Sequence, residues 1–337
     1  MEYRNLGRTG VKVSPLCLGT MNFGRATEEA DSIRIIDRAI DDGINFVDTA
    51  NVYTRGESES IVGKALKGKR DKIVLATKVF GTMDDDDPNA RGASRRHVIE
   101  QCHASLARLD TDYIDLYQIH RPSSDHPVDE TLRALDDLIR DGKVRYIGVS
   151  TFSAWQIVES LWVSKEYGLN RFVCEQPPYN LLDRRVEVEV LPMAQSYGIG
   201  IIPWSPLASG RLTGQYKRGG DAPEGSRMAG VIKKGQGTMN DFFTEKIYDV
   251  IEGVEALARA QEVPVSQYAL AWVTQQAGVT SPIIGPRTVQ QLNDALASLD
   301  VSIPAEDQAV IDALIPPGTF VRDFYSGADF GPSRHHW

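Results

Sequence analysis

Several residues that can hold or transfer a proton stand at the ends of predicted β-strands. Asp48 follows an apolar run, and Tyr53 lies in the loop after it. Lys78, His120 and Ser150 each follow a further apolar run. In a parallel barrel the carboxyl ends of the strands meet on one face and carry the active site. The sequence therefore predicts that Asp48, Tyr53, Lys78 and His120 converge in space, although they lie far apart along the chain.

Four of these side chains could act together when a carbonyl group accepts a hydride: one would protonate the carbonyl oxygen, and the others would assist it. A tyrosine has a pKa near ~10, so Tyr53 is protonated at neutral pH and can act as the proton donor. The cation of Lys78 would lower the pKa of such a tyrosine, and Asp48 would keep the lysine charged. His120 could hydrogen-bond the substrate oxygen and fix its angle. Acid–base assistance of this kind typically contributes ~10²–10⁴ in rate.

A lysine in a barrel can alternatively form a Schiff base, as in aldolases. That chemistry needs a neutral Lys78, and a nearby Asp48 opposes it by favouring the charged form. Trapping of a substrate on Lys78 with borohydride would reveal an aldolase.

The elements that must position these residues alternate between short apolar runs and stretches of helical period. Strands are predicted at 16–19, 44–47, 73–77, 113–119, 144–149, 172–176, 200–204 and 282–285. Helices are predicted at 28–42, 58–66, 94–109, 128–140, 154–167, 184–197, 244–259 and 289–299. Eight strands with interleaved helices predict an α/β fold of the (β/α)8 TIM-barrel type.

Three further segments complete the predicted single domain, residues 1–337. A β-hairpin is expected at about 3–14, and a long insertion at about 205–262 begins with a Gly- and Lys-rich loop. The tail at about 316–337 is rich in aromatic residues and has two open possibilities. It could fold over the mouth of the barrel, or it could pack on the outer helices.

The composition excludes several classes of partner. A formal net charge of -9 and a pI near 5.3 argue against binding to nucleic acid or to an anionic membrane surface. No apolar run approaches the ~20 residues that span a bilayer, and the polar N-terminus is not expected to be a signal peptide. The three cysteines are widely spaced and form no metal motif. These features predict a metal-free cytoplasmic enzyme, of open oligomeric state, acting on a small molecule.

Together, several motifs resemble those of the aldo-keto reductase family. They are the run 43–50 followed by Tyr53, the run 109–116 followed by His120, and the segments 148–152, 175–180 and 204–207. The resemblance extends from about Tyr3 to about Leu314. It implies a (β/α)8 barrel and an NADPH-dependent carbonyl reductase. The catalytic tetrad of the family falls on Asp48, Tyr53, Lys78 and His120.

The resemblance also implies where the cofactor would lie. Ser150 and Gln176 would contact the nicotinamide carboxamide. Thr151 stands where the family usually has Asn, so it offers a hydroxyl but lacks an amide donor. The other residues implied near the nicotinamide and the pyrophosphate are Gly19, Thr20, Met21, Asp48, Trp204, Ser205, Pro206, Leu207, Ser209, Gly210 and Arg211.

The adenine end of the cofactor is expected at a helix start near the C-terminus. The chain has no Rossmann G-x-G-x-x-G motif, but Gly285 and Arg287 open the helix that carries Gln291 and Asp294. Helix N-termini bind phosphate, and Arg287 could contact a 2′-phosphate and favour NADPH over NADH. Arg287 could alternatively be an ordinary surface residue. Arg227 is similar to a cofactor-clamping arginine in the branch that includes potassium-channel β subunits.

The leading hypothesis is therefore an NADPH-dependent reductase of aldehydes or ketones. Its substrate is expected to be partly hydrophobic, because aromatic and apolar residues should wall the pocket. These residues are Met21, Phe23, Tyr53, Phe80 and Trp204, together with parts of the insertion and of the tail. The alternative is a cofactor-sensing regulatory subunit with little turnover, as the channel-subunit branch of the family suggests.

Overall fold

The chain opens with a β-hairpin that covers one end of a barrel. The computed structural model describes residues 1–123 and 125–322. Strand β1 (Arg4–Asn5) pairs antiparallel with β2 (Lys12–Val13). The connecting turn packs against the barrel so closely that a Cβ on Gly7 would lie 2.6 Å from the backbone nitrogen of Gly200. Only glycine fits this contact, where Gly7 also has a positive φ of 56°.

Eight parallel strands follow in one sheet, and their order in the sheet is their order along the chain. They are β3 (Cys17–Gly19), β4 (Phe46–Asp48), β5 (Val74–Val79), β6 (Ile114–Ile119), β7 (Val144–Ser150), β8 (Phe172–Gln176), β9 (Gly200–Ile201) and β10 (Ile283–Ile284). The last strand pairs with the first, since Ile283 aligns with Cys17.

Backbone hydrogen bonds close the remaining gap between β9 and β10. Thr280 donates its N–H to the carbonyl of Ile201 at 2.8 Å, and Ile283 donates to the carbonyl of Pro203 at 2.8 Å. Val279 forms a parallel bridge with Ile201. The sheet therefore closes on itself, and the predicted (β/α)8 TIM-barrel fold is confirmed.

Helices cover the outside of this sheet. They are α1 (Glu29–Asp41), α2 (Glu57–Leu66), α3 (Arg95–Leu109), α4 (Val128–Arg140), α5 (Ala154–Tyr167), α6 (Val190–Tyr197), α7 (Arg227–Lys233), α8 (Met239–Phe242), α9 (Glu245–Ala260), α10 (Val265–Gln275), α11 (Val289–Ala297) and α12 (Ala305–Leu314). The start of the insertion was predicted as a loop, but it contains the short helices α7 and α8. Helices α10 and α12 were not predicted.

The helix predicted at 184–197 is shorter than expected. Residues Arg185–Glu187 form a separate 3-10 turn, and α6 begins only at Val190. The side chain of Arg185 bonds Asp183, and that of Arg184 bonds Glu187. These local contacts hold the segment in a turn instead of a continuous helix.

The interior of the barrel is filled by an apolar layer to which nearly every strand contributes. Alternate residues of a strand point to the same face, so the residue two positions further on also points inward. The layer contains Leu6, Val13, Cys17, Phe46, Ala76, Leu116, Val173, Cys174 and Ile202. Two positions after members of this layer stand Gly19, Asp48, Lys78, Gln118, Gln176 and Trp204. The apolar layer is thus the floor of a polar layer at the carboxyl ends of the strands.

The start of the C-terminal tail is attached to the loop after β8. Arg184 donates its backbone N–H to the carbonyl of Thr319 at 2.9 Å, and Val321 donates to the carbonyl of Leu182 at 3.0 Å. The prediction for the rest of the tail, residues 323–337, lies outside the described residues. Among the helices that are described, none is both long and apolar enough to cross a membrane.

Candidate active site

Asp48, Lys78 and Tyr53 form a hydrogen-bonded chain at the carboxyl end of the barrel. Lys78 Nζ lies 2.5 Å from Asp48 Oδ2, 2.8 Å from the carbonyl of Thr49 and 3.2 Å from Tyr53 Oη. Lys78 is fully buried, Asp48 is 2% exposed and Tyr53 is half-buried. The phenol therefore lies between an enclosed ion pair and the open end of the barrel.

His120 is the fourth member of this group. It directly follows β6, and its ring meets the ring of Tyr53 edge-on, with centroids 5.8 Å apart and planes at 80°. The structure thus brings together the four residues that were predicted to converge. Their catalytic roles remain predictions.

The electrostatic setting favours a charged lysine. Burial alone would lower the pKa of Lys78, but the negative charge of Asp48 and its hydrogen bond, together with Tyr53, raise it above its usual value. A lysine held charged is a poor nucleophile, so this environment opposes the Schiff-base alternative.

His120 is held neutral. Burial, followed by the positive charges of Lys78 and Arg121, lowers the pKa of His120 well below its usual range. A neutral imidazole can donate one hydrogen bond and accept another, but it carries no charge into the site. The tautomer of His120 decides which ring nitrogen would face a substrate oxygen.

The carboxylate of Asp48 is bound on its other side by two buried amides. Gln118 Nε2 and Gln176 Nε2 each donate to Asp48 Oδ1 at 3.0 Å. Gln118 was not predicted as a site residue. The signal was present, because Gln118 stands two positions before His120 and its side chain must point into the same barrel.

Ser150, Thr151 and Gln176 lie together where β7 and β8 end. Ser150 Oγ donates to the carbonyl of Gln176 at 2.9 Å, and Thr151 has a left-handed φ of 64°. The hydroxyl of Thr151 accepts a hydrogen bond from Arg121 Nη1 at 3.0 Å. Thr151 is therefore engaged with a cation at the barrel mouth.

The loop after Trp204 has an unusual backbone. Ser205, Ala208 and Ser209 have positive φ values of 55°, 50° and 57°, and Gly210 has 91°. Non-glycine residues in this conformation are uncommon and cluster at functional sites. Backbone in this conformation can form an anion-binding concavity. Within this loop the N–H of Ala208 donates to the carbonyl of Ser205 at 2.9 Å, and that of Gly210 to the carbonyl of Leu207 at 2.8 Å.

Arg211 is less suited to contacting a ligand through its side chain. It is 3% exposed, and its guanidinium donates to the carbonyls of Phe242 and Ala208 at 3.2 and 3.1 Å. Burial and the charges of Arg322 and Arg227 lower the pKa of Arg211 to about 10. The structure thus directs this side chain into the base of the insertion.

The fold and this geometry agree with the comparison to known sequences. The sequence model of the Aldo/keto reductase family matches residues 15–316. The chain belongs to the aldo-keto reductase family. It is 40% identical to an uncharacterized oxidoreductase of Bacillus subtilis (strain 168), over 97% of this chain and 100% of that protein.

Other relatives of this aldo-keto reductase have more specific names. A probable voltage-gated potassium channel subunit beta of Oryza sativa subsp. japonica is 37% identical, over 93% of this chain and 95% of the relative. The versiconal hemiacetal acetate reductase of Aspergillus parasiticus is 34% identical, over 94% and 98%. Membership of the family assigns the chain to the oxidoreductases, and the family generally uses NAD(P)H.

In this aldo-keto reductase, the residues predicted for the adenine end surround the start of α11. The guanidinium of Arg287 donates to the carbonyl of Gly225 in the insertion at 3.3 Å. Gln291 Oε1 accepts the backbone N–H of Arg287 at 2.8 Å, and Asp294 accepts from Gln290 at 3.0 Å. Asn22 Nδ2 donates to the carbonyl of Gly285 at 3.1 Å and joins the opposite rim.

Positive charge gathers at this place. Desolvation by the surrounding protein lowers the pKa of Arg227, and the positive charges of Arg25 and Arg287 lower it further. None of these three arginines has a carboxylate partner within residues 1–123 and 125–322. Arginine side chains bind anions such as phosphate in many proteins.

The predicted pocket wall requires one correction. Met21 is 41% exposed, and Phe80 and Trp204 are half-buried at the mouth. Phe23, in contrast, is fully buried in the core, so its ring does not line an open pocket. Thr20 is also buried and hydrogen-bonds Ser58 Oγ at 2.8 Å.

Strand β10 leaves no room for a side chain at Gly19 of β3. A Cβ at Gly19 would lie 2.5 Å from Ile283 Cγ2 and 3.1 Å from the carbonyl oxygen of Ile284. The glycine therefore permits the contact that closes the barrel beneath the site. Among the described residues no group of three or more His, Cys, Asp or Glu side chains is arranged to hold a metal.

Proposed function

We propose that this protein is an NADPH-dependent reductase that converts aldehydes or ketones into alcohols in a reversible reaction. The observation that carries the proposal is the chain from Asp48 through Lys78 to Tyr53, with bonds of 2.5 and 3.2 Å. The chain ends in a phenol beside the imidazole of His120. This arrangement is suited to protonating a carbonyl oxygen.

Each member of the group has a role in the proposed reaction. NADPH, when bound, supplies a hydride to the carbonyl carbon. Tyr53 donates its phenolic proton to the carbonyl oxygen, and Lys78 stabilises the phenolate that remains. Asp48 keeps Lys78 charged. Neutral His120 donates a hydrogen bond to the same oxygen and fixes its position. In the reverse direction Tyr53 takes the proton from an alcohol.

The residues predicted to hold the cofactor fit a nicotinamide dinucleotide. The left-handed backbone at Ser205, Ala208 and Ser209 suits a pyrophosphate. The charges of Arg227 and Arg287, which have no carboxylate partner in the described part of the chain, suit a 2′-phosphate. This excess of positive charge is the reason to propose NADPH in preference to NADH.

The proposed substrate is a partly hydrophobic carbonyl compound. Met21, Phe80 and Trp204 each follow a barrel strand and keep apolar or aromatic surface accessible. We further propose a cytoplasmic location, which the three buried free cysteines support.

The direct test is Tyr53→Phe, because this change removes the hydroxyl and keeps the ring. We expect kcat for a reducible aldehyde to fall by about 10²–10⁴. NADPH binding should change by less than about threefold, because the cofactor contacts are elsewhere. Carbonyl reduction is followed by NADPH absorbance, and binding by quenching of the five tryptophans.

Tyr3→Phe is the matched control. It removes an exposed hydroxyl that bonds the carbonyl of Gly43 at 3.0 Å, so activity should not change. Undiminished turnover in Tyr53→Phe would rule out Tyr53 as the proton donor. If the wild-type protein binds neither NADPH nor NADH, the reductase proposal itself is wrong.

A second candidate function is a cofactor-sensing regulatory subunit. The 37% identity to a probable voltage-gated potassium channel subunit beta favours this candidate. It predicts tight NADPH binding with slow turnover in the wild type and little further loss in Tyr53→Phe. The same pair of measurements therefore distinguishes the two functions.

A further inference from the structure

The barrel contains a buried amide that the proposed reaction does not use. Gln118 is fully buried near the carboxyl end of β6. Its Nε2 donates to Asp48 Oδ1 at 3.0 Å, and its Oε1 lies 3.3 Å from Gln176 Nε2 as an acceptor. One side chain thus joins the residue that supports Lys78 to the residue predicted to contact the cofactor.

The fold makes room for this side chain. On the neighbouring strand Gly148 pairs with Gln118, and a Cβ at Gly148 would lie 3.3 Å from Gln118 Cγ. Below Gln118 the inward-pointing residue is Leu116, which belongs to the apolar layer. A polar amide in this place costs free energy unless it is hydrogen-bonded. The two bonds of Gln118 meet that requirement and fix the direction of the amide.

The two oxygens of the Asp48 carboxylate have different hydrogen-bond partners. Oδ2 faces Lys78, whereas Oδ1 accepts from Gln118 and Gln176. If Gln118 were absent, the carboxylate could rotate, and Gln176 Nε2 would lose one of its two acceptors. Both effects would act at a distance from the substrate.

We infer that Gln118 is a positioning residue that aligns Asp48 with Lys78 and holds the amide of Gln176 in place for the nicotinamide carboxamide. The inference rests on the proposed reductase function. The hydrogen bonds of Gln118 lead to Asp48 and Gln176, and it acts through these two residues.

The first test is Gln118→Met, which keeps the length of the side chain and removes both hydrogen bonds. We expect kcat to fall about tenfold to a hundredfold, as for the loss of a hydrogen bond to a charged group. The wild type should bind NADP⁺ more tightly than an analogue with an acetyl group in place of the carboxamide. In Gln118→Met this preference should shrink by about threefold to tenfold. Tryptophan fluorescence measures both affinities without turnover.

The second test is Gln118→Glu, which has a distinctive pH dependence. Once protonated, the introduced carboxyl can donate to Asp48 Oδ1 and accept from Gln176, as the native amide does. Ionised, it places a second negative charge against Asp48. We expect kcat to approach the wild-type value at acid pH and to fall steeply as pH rises, whereas Gln118→Met stays low at every pH.

The cofactor-free protein gives an independent measurement. The neighbouring carboxylate raises the pKa of the introduced carboxyl in the folded state, so stability is present at low pH and is lost as pH rises through that value. The Tm of Gln118→Glu should therefore fall with rising pH more steeply than that of the wild type.

Two results would overturn the inference. One is a folded Gln118→Met with wild-type kcat and undiminished preference for the carboxamide. The other is a Gln118→Glu whose kcat and Tm follow the wild-type pH profile. A wild-type protein that reduces no carbonyl would instead count against the proposed function, while the Tm measurement would still test the contact with Asp48.

Discussion

At the scale of single residues, Glu175 is a carboxyl group buried outside the interior of the barrel. It lies between Cys174 and Gln176, which point inward, so its own side chain points outward. It is nevertheless fully buried. Glu175 Oε1 accepts the backbone N–H of Phe152 at 3.2 Å, and Oε2 has no hydrogen-bond partner among the described residues.

This setting predicts a specific pH dependence of stability. Burial raises the pKa of Glu175 well above its usual value, although the N–H groups of Phe152 and Thr151 and the charge of Arg121 oppose the rise. The folded state therefore binds this proton more tightly than the unfolded state does. The stability that Glu175 contributes is complete below its unfolded pKa and is lost as pH rises through the folded value.

Glu175→Gln should remove this dependence. We expect it to raise the free energy of unfolding by roughly 1–3 kcal/mol at alkaline pH, since it replaces a buried anion by a neutral amide of the same shape. At acid pH the two proteins should be alike. Urea unfolding at a series of pH values measures the difference, with exposed Glu166→Gln as the control. A constant difference at all pH values would mean that Glu175 does not titrate in this range.

At the scale of elements, the sequence predicted most of the barrel because each strand and helix carries its own signal. Helix α4 (Val128–Arg140) was predicted at its observed bounds: it follows Pro127 and ends just before Gly142, whose φ is 70°. The strands are apolar runs, and because Asp48 and Lys78 stand at their carboxyl ends, both residues could be assigned to the same face of the barrel. Local patterns were sufficient for these elements.

The parts that were not predicted depend on contacts between distant segments. The bonds of Gln118 with Asp48 and Gln176 exist only because the barrel brings three strands to one level. The direction of Arg211 depends on Phe242, which lies 31 positions further along the chain. Composition and periodicity do not record such contacts, but counting two positions back from His120 would have identified Gln118.

The contact between α11 and the insertion makes a prediction about cofactor choice. Arg287 precedes α11, and its guanidinium donates a hydrogen bond of 3.3 Å to the carbonyl of Gly225, which lies in the insertion. Arg287→Ala should raise the Kd for NADPH about tenfold to a hundredfold, as expected for a lost charged hydrogen bond, and should change the Kd for NADH little. Fluorescence titration with both cofactors checks this.

Arg287→Lys is the informative companion variant. It retains the charge and loses the planar fork, so its affinity for NADPH should lie between those of the wild type and Arg287→Ala. An equal loss of affinity for NADPH and NADH in Arg287→Ala would show a different role. Arg287 would then hold the insertion in place through Gly225 and would not bind the 2′-phosphate.

At the scale of the whole molecule, charge is distributed unevenly. The chain carries a net charge of -9, yet the arginines near α11 have no described carboxylate partner. An anionic cofactor would be repelled by the protein as a whole and attracted by this local surface. The local arginines must therefore dominate at close range, where salt screens the distant charges.

The same scale shows how helix α12 is attached to the barrel. Arg184 lies in the loop after β8 and is 2% exposed. Its guanidinium bonds Glu187, Asp312 and the carbonyl of Ile315, each at 2.7 Å, and lies 5.2 Å from the ring of Trp272. Residues 128 and 131 positions away in sequence thus meet on one side chain.

Arg184→Met should destabilise the entire fold by about 3 kcal/mol, because it removes the cation that binds the partly buried carboxylate of Glu187 and leaves the carbonyl of buried Ile315 without this donor. Arg38→Met is the control, since Arg38 forms an exposed pair with Asp42 and should change stability by no more than about 0.5 kcal/mol. Denaturant unfolding followed by circular dichroism and by tryptophan fluorescence measures both variants. If the contact of Arg184 with α12 stabilises the whole barrel, the circular dichroism and fluorescence transitions should shift together in Arg184→Met. An early fluorescence change with unaltered circular dichroism would show that the contact secures only the terminal helix, and that the barrel is stable without it.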